Sequence, residues 1–168
     1  LPYYGLAKTD SLSGTTDSAA GGTALSTGFK TINGYIGLDK DENRLTSLTE
    51  MAGSLNMATA VMSTVVQTGA TPGSFSAHSN DRNSVYQIAT TQGELIKNYG
   101  TIINCNYDYY DEDGVDSLKD AIKSTLTTLS SNENGFFIMY EEAYIDKHCH
   151  NNDFNNTFLA IQRFNQAI

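Results

Sequence analysis

An α/β fold is what the order of elements along this chain predicts. Two apolar runs, residues 58–66 and 135–140, read as buried strands. Each follows residues at helical spacing: Leu45, Leu48, Met51, Ala52 and Leu55 before the first, and Leu118, Ile122, Leu126 and Leu129 before the second. Helix, short connection and apolar strand in succession is the pattern of a sheet covered by helices.

Taken in order, residues 1–14 read as irregular, with Tyr3 and Tyr4 packing against another part of the molecule. Asp17 and Ser18 are good cap residues for a helix over residues 18–27, which leads into a turn through Gly34 and Gly37. The helix that carries Leu45 to Leu55 stops at Asn56. Thr68-Gly69-Ala70-Thr71-Pro72 follows the first strand at its carboxyl end, where open α/β sheets hold their ligands. Pro72 suits the first turn of a short helix over residues 73–77. Residues 85–98 read as a helix and 101–104 as a short strand. The acidic, Tyr-rich residues 108–116 lack the ligand spacing of an EF-hand and read as a solvated loop. Phe158, Ile161 and Phe164 line a final helix. With no internal repeat, low-complexity tract or linker, residues 1–168 read as one domain. It opens on Leu1-Pro2 and closes inside a helix, and so is expected to be incomplete at both ends.

A chain of 168 residues is long enough for one hydrophobic core. Its net charge of −9 argues against nucleic acid or an anionic membrane as partner, because phosphate backbones demand clustered Lys and Arg. An acidic chain that handles a phosphate ester needs local positive charge, from an arginine or a bound metal. No apolar run approaches membrane-spanning length. Cys105 and Cys149 leave open whether they pair.

Three segments carry chemistry. In the first, residues 16–28, a helix opening at Ser18 would aim unpaired N–H groups and a positive dipole end at the serine hydroxyl. That environment suits an anion, above all a phosphate, although Asp-Ser before a helix is by itself an ordinary cap. Ala19, Ala20, Gly21 and Gly22 leave room for a ligand or a neighbouring strand. In the second, Asp146 and His150 are four residues apart and share one helix face, a partial zinc set. Glu141 at the strand end suits a harder ion such as Mg²⁺. Alone, these three also read as a polar helix start with surface charges. In the third, Arg82 offers a fork that binds two phosphate oxygens at once, and otherwise reads as an exposed loop arginine. His78 reads as a structural hydrogen-bonding residue.

Thr16 to Gly28, followed by Lys30-Thr31, Asn33-Gly34 and Ile36-Gly37, resembles the nucleophile segment of the alkaline phosphatases. Phe136 to Glu141 with Asp146 and His150 resembles the later metal-binding strand and helix of that family, and Ala70-Thr71-Pro72 with Arg82 a third segment. The resemblance implies a three-layer α/β/α sandwich with a mostly parallel central sheet. It also implies that Ser18 is phosphorylated and then hydrolysed, and that Arg82, oriented by Asp17, binds phosphate. Asp146 and His150 match ligands of one zinc, and Ser18 also matches a metal-bound position. Glu141 and Thr71 match ligands of a magnesium ion, and Lys147 a position that contacts phosphate through water. Two Zn²⁺ and one Mg²⁺, phosphate monoesters as substrates, an exported protein and a homodimer are what the family implies.

The sequence departs from the family where the zinc sites are completed. An Asp-Gly-Met-Gly-type motif, a later Asp-His pair and a still later histidine are not found; Asp113-Gly114 lies in the wrong place. Gly69 stands where many members carry an acidic residue or histidine. The leading expectation is a phosphomonoesterase, or a fragment of one. The alternatives are a non-catalytic phosphate-binding or structural module of the same descent, and a sulfatase- or phosphodiesterase-like relative.

Overall fold

In the computed structural model of the chain, residues 5–105 and 114–168 are described. The expectations placed on Tyr3, Tyr4 and Asp113, and on most of the acidic loop over 108–116, fall outside the described residues.

Three strands form one sheet in the order β2-β1-β3: β1 is Ala58–Ser63, β2 Ile102–Cys105 and β3 Phe136–Glu141. Both pairings are parallel, with Ala60 opposite Ile102 and Ile138, and Ser63 opposite Cys105 and Glu141. Parallel neighbours need crossovers, and helices supply them. The helices are α1 (Ser18–Thr27), α2 (Leu48–Ser54), α3 (Ala70–Ser76), α4 (Val85–Tyr99), α5 (Gly114–Leu129), α6 (Ala143–His150) and α7 (Phe154–Ala167).

The central strand is buried on both faces because alternate side chains enter different helical layers. Val61 packs with Phe75 of α3 and Met139 of β3. Met62, pointing the other way, packs with Ile122 of α5 and Ala167 of α7. The result is the three-layer α/β/α arrangement, with β1 at its centre. A further cluster of Ala19, Ile36, Ala70, Ala77 and Ile88 joins α1, α3 and α4.

Several boundaries and faces differ from the sequence expectation. The first strand ends at Ser63, not Val66, because the Thr64 side chain is engaged by Ala143 N–H and Glu142. The short helix opens at Ala70, so Pro72 lies at its third residue, where its missing N–H still costs no helical bond. The second helix begins at Leu48 and leaves Leu45 outside. Ser47 and Glu50 form a reciprocal capping box there. Asn56, the expected stop, follows the C-cap Leu55 and has a φ of 60°, in the left-handed region that few non-glycine residues adopt.

Periodicity finds these helices but not which face turns inward. Leu48, Met51 and Leu55 are exposed while Thr49 and Ala52 are buried. In α7, Phe158 and Ile161 are 51% and 46% exposed, and the buried positions are Ala160 and Ala167. Phe164 of the expected stripe stacks on Tyr140 at 5.5 Å between centroids.

Small residues let α1 and α3 approach closely. A Cβ on Gly22 would lie 2.8 Å from Ser74, whose hydroxyl donates to Ala19 O at 3.1 Å and Ala70 O at 2.7 Å. The neighbour admitted by the Ala-Ala-Gly-Gly run is therefore helix α3, and not a strand.

Gly37 and Gly28 both have positive φ, 60° and 80°, but differ in surroundings. A Cβ at Gly37 would overlap the Ala77 carbonyl oxygen, whereas nothing lies near one at Gly28. Gly28→Ala should cost about 1 kcal/mol of stability and Gly37→Ala more than about 2 kcal/mol. Urea unfolding of the two variants tests that order.

Candidate functional site

The chain around Ser18 is organised by Asp17. As N-cap of α1, Asp17 accepts from Ala20 N at 2.9 Å through Oδ1. Its Oδ2 accepts from Gly34 N at 3.0 Å and from Arg82 Nη1 at 2.9 Å. Its own N–H donates to Asn33 Oδ1 at 3.1 Å, and Asn33 Nδ2 donates to Thr15 O at 2.8 Å. Asn33-Gly34 thus closes the turn onto the start of α1. Ser18, the first residue of that helix, is exposed.

Burial works against the Asp17 charge, but the Ala20 N–H, the Arg82 guanidinium and the Gly34 N–H outweigh it and hold its carboxyl below the usual range. The ion pair is partly covered, at 36% exposure for the Arg82 side chain and 23% for Asp17. Among the described residues one N–H of the guanidinium is committed, to Asp17, and the remaining donors of the five-donor fork can serve a ligand.

These residues share a cleft of about 670 Å³ at the carboxyl ends of β1 and β3. Asp17, Ser18, Thr71, Arg82, Glu141, Asp146 and Lys147 all line it. His150 does not line it, but its Nε2 lies 3.5 Å from Asp146 Oδ2 one helical turn away. That pair is open to solvent, with side chains 79% and 71% exposed. The Lys147 ammonium sits 4.7 Å from the Tyr144 ring centroid. Leu25, Val65 and Val66 form an apolar part of the wall.

Glu141 closes β3 and has one carboxylate oxygen held. Ser63 Oγ donates to its Oε2 at 2.6 Å, a bond that nothing in the local sequence announces. The only signal was the coincidence of two strand ends, and it becomes visible once the register pairs them. The neighbouring Glu142 caps α6, accepting from Tyr144 N at 2.9 Å and Thr64 Oγ1 at 3.1 Å. Burial pushes its carboxyl up.

His78 behaves as a structural residue. Its Nδ1 donates to Gly37 O at 2.8 Å, and its Nε2 lies 3.1 Å from Glu50 Oε1. Gly69 is the N-cap of α3. A Cβ there would come within 3.0 Å of Val66 O, so a larger residue would require that loop to shift.

The donor chemistry distinguishes two metals. Among the described residues no three His, Cys, Asp or Glu side chains gather as a metal-binding group. Asp146 and His150 alone are too few for a zinc sphere, which takes at least three protein ligands. Magnesium asks less, one or two carboxylates with waters completing an octahedron. Glu141, with the Thr71 hydroxyl on the same cleft, fits that demand. Cys105 and Cys149 are both free thiols. Burial raises the Cys105 thiol to about 11.

Fold and cleft together define a three-layer α/β/α protein with a cleft at the carboxyl ends of its central strands. A family model described as alkaline phosphatase matches residues 1–107 and 103–168. The chain belongs to the alkaline phosphatase family. Alkaline phosphatase 4 of Bacillus subtilis (strain 168) is 29% identical, over 90% of this chain and 44% of that protein. The chain therefore spans less than half the length of this relative. The cold-active alkaline phosphatase of the psychrophile Shewanella sp. has a TM-score of 0.82 at 28% identity, covering 97% of this chain and 52% of that one. A variant of TAB5 alkaline phosphatase with Mg bound in its M3 site has a TM-score of 0.83 at 26% identity, covering 97% and 61%. Among the described residues no helix is long and apolar enough to cross a membrane.

Because the folded Asp17 carboxyl is held below its unfolded value of about 3.9, its contribution is present above that pH. It is lost as pH falls through the lower folded value. Chemical denaturation at stepped pH from 5 to 2 should show a smaller acid-induced loss of stability in Asp17→Asn than in the unaltered protein.

Proposed function

We propose that this chain forms part of a metal-dependent phosphomonoesterase that acts through a phosphoserine at Ser18. The observation that carries the reading is the single cleft in which Ser18, at the N-terminus of α1, and Arg82, tied to Asp17, stand together. The N–H groups of the first turn and the free donors of the guanidinium are suited to the equatorial oxygens of a phosphoryl group. Held there, the phosphorus is open to in-line attack by Ser18 Oγ. The Ser18 O–P bond forms as the ester O–P bond breaks, and the hydroxyl proton passes by way of solvent to the departing alkoxide. Water then cleaves the phosphoserine O–P bond, releasing inorganic phosphate and restoring the Ser18 hydroxyl.

Lys147 on the same cleft adds positive charge to the bound anion. Glu141 and Thr71 would hold Mg²⁺, which when bound polarises phosphoryl and water oxygens. Asp146 and His150 would contribute to a zinc site that needs further ligands. Export and a homodimer are supported by the family resemblance alone.

The second reading, a phosphate-binding module without turnover, is favoured by one observation. The described residues complete no zinc sphere. It expects phosphate binding that depends on Arg82 and no hydrolysis.

Assays of purified protein with p-nitrophenyl phosphate in Zn²⁺ and Mg²⁺ separate the two readings. The phosphatase reading expects turnover that Ser18→Ala lowers at least ~10³-fold, with acid-trapped phosphoserine found at Ser18 only in the unaltered chain. Equal turnover by Ser18→Ala refutes the phosphoserine route. No turnover, with inorganic phosphate bound by the unaltered protein but not by Arg82→Ala, selects the second reading.

A further inference from the structure

Ser63 and Glu141 are the last residues of their strands and stand opposite each other in the parallel register. Ser63 is wholly buried. Its Oγ accepts from Val65 N at 3.2 Å and donates to Glu141 Oε2 at 2.6 Å. The Val65 N–H occupies one side of the hydroxyl, so its proton is directed to the carboxylate. The 2.6 Å separation lies in the range of charge-assisted O–H···O⁻ bonds.

The backbone around Glu141 is held by the same stretch of chain. Thr64 N donates to Glu141 O at 3.2 Å. Thr64 Oγ1 accepts from Ala143 N at 3.0 Å and lies 3.1 Å from Glu142 Oε1, to which it donates. Glu141 and the two residues that follow it are therefore pinned to the end of β1. One carboxylate oxygen is committed to Ser63, while the other takes no hydrogen bond from the described residues. This carboxylate stands on the wall of the cleft.

We propose that Ser63 is a positioning residue for a divalent cation, fixing the Glu141 carboxylate so that Oε1 is presented to Mg²⁺. This rests on the reading of Glu141 as a magnesium ligand. A free glutamate must give up rotamer freedom to bind an ion, and Ser63 has removed that freedom in advance. The serine itself does not touch the metal.

Titration calorimetry with MgCl₂ alone, on the purified chain, tests this without reference to activity. Ser63→Ala should weaken Mg²⁺ binding by about 10-fold or more. In a Glu141→Gln background, itself weakened, the same change should produce no further loss, because the serine acts only through that carboxylate. Ser63→Cys, similar in size but a weak donor, should lose affinity in the same way and serves if the alanine variant does not fold. Unchanged affinity in Ser63→Ala or Ser63→Cys, beside a weakened Glu141→Gln, overturns the proposal and leaves the magnesium reading standing. An equal loss from Ser63→Ala in both backgrounds also overturns it. If Glu141→Gln binds Mg²⁺ as the unaltered chain does, the magnesium reading falls and the proposal with it.

Discussion

The geometry of the cleft depends on one carboxylate. Asp17 caps α1, closes the turn at Gly34 and holds Arg82, so that three segments far apart in sequence meet at two oxygen atoms. A neutral cap would satisfy the helix equally well, since serine or asparagine also accepts from the first-turn N–H groups. Only an anion also attracts a guanidinium strongly enough to offset its partial burial. The helix start, which sets Ser18 at the first turn, and the arginine are therefore fixed by the same atom pair, and neither can move without the other.

Around that point the fold supplies position more than chemistry. β1 is central, buried on both faces, and its carboxyl end opens onto the cleft with that of β3. Helix α3 follows β1 and brings Thr71 to the wall, while its Ser74 packs against Gly22 and sets the distance to α1. A bulkier residue at position 22 would separate the helices and with them Ser18 from Thr71. Helix α6 follows β3 just as closely, Glu142 and Thr64 tying its first turn to β1. Close approach of small residues on one side and hydrogen bonds at strand ends on the other thus define one cleft between two βα junctions.

The α/β class was legible in the sequence, because local composition reports strands and caps, while the gathering of most candidate residues was expected only from the resemblance of three segments to one family. Asp17, Ser18 and the helix behind them follow from cap chemistry. What sequence could not give was direction. Leu48, Met51 and Leu55 keep helical spacing yet face solvent, because the face turned inward is set by what lies opposite, and α2 meets its neighbours through Thr49 and Ala52. Thr64 to Val66 have strand propensity but leave the sheet, since Thr64 bonds to Ala143 and Glu142 across 78 or more residues of chain. Ser63 was unreadable for the same reason, as its role depends on a register that no local pattern encodes.

Family membership and the cleft both support the proposed phosphoryl chemistry, and Glu141 with Thr71 meets more of what Mg²⁺ demands than Asp146 with His150 meets of what Zn²⁺ demands. The central claim is that Arg82, Ser18 and the first turn of α1 form one receptor for a phosphoryl group. Its most direct test is a crystal structure of the chain grown with vanadate, a mimic of the five-coordinate phosphoryl state, in the presence of Mg²⁺ and Zn²⁺. The account predicts vanadium bonded to Ser18 Oγ with its equatorial oxygens on Arg82. Vanadate bound elsewhere, with no oxygen on the remaining Arg82 donors and Ser18 untouched, would contradict it.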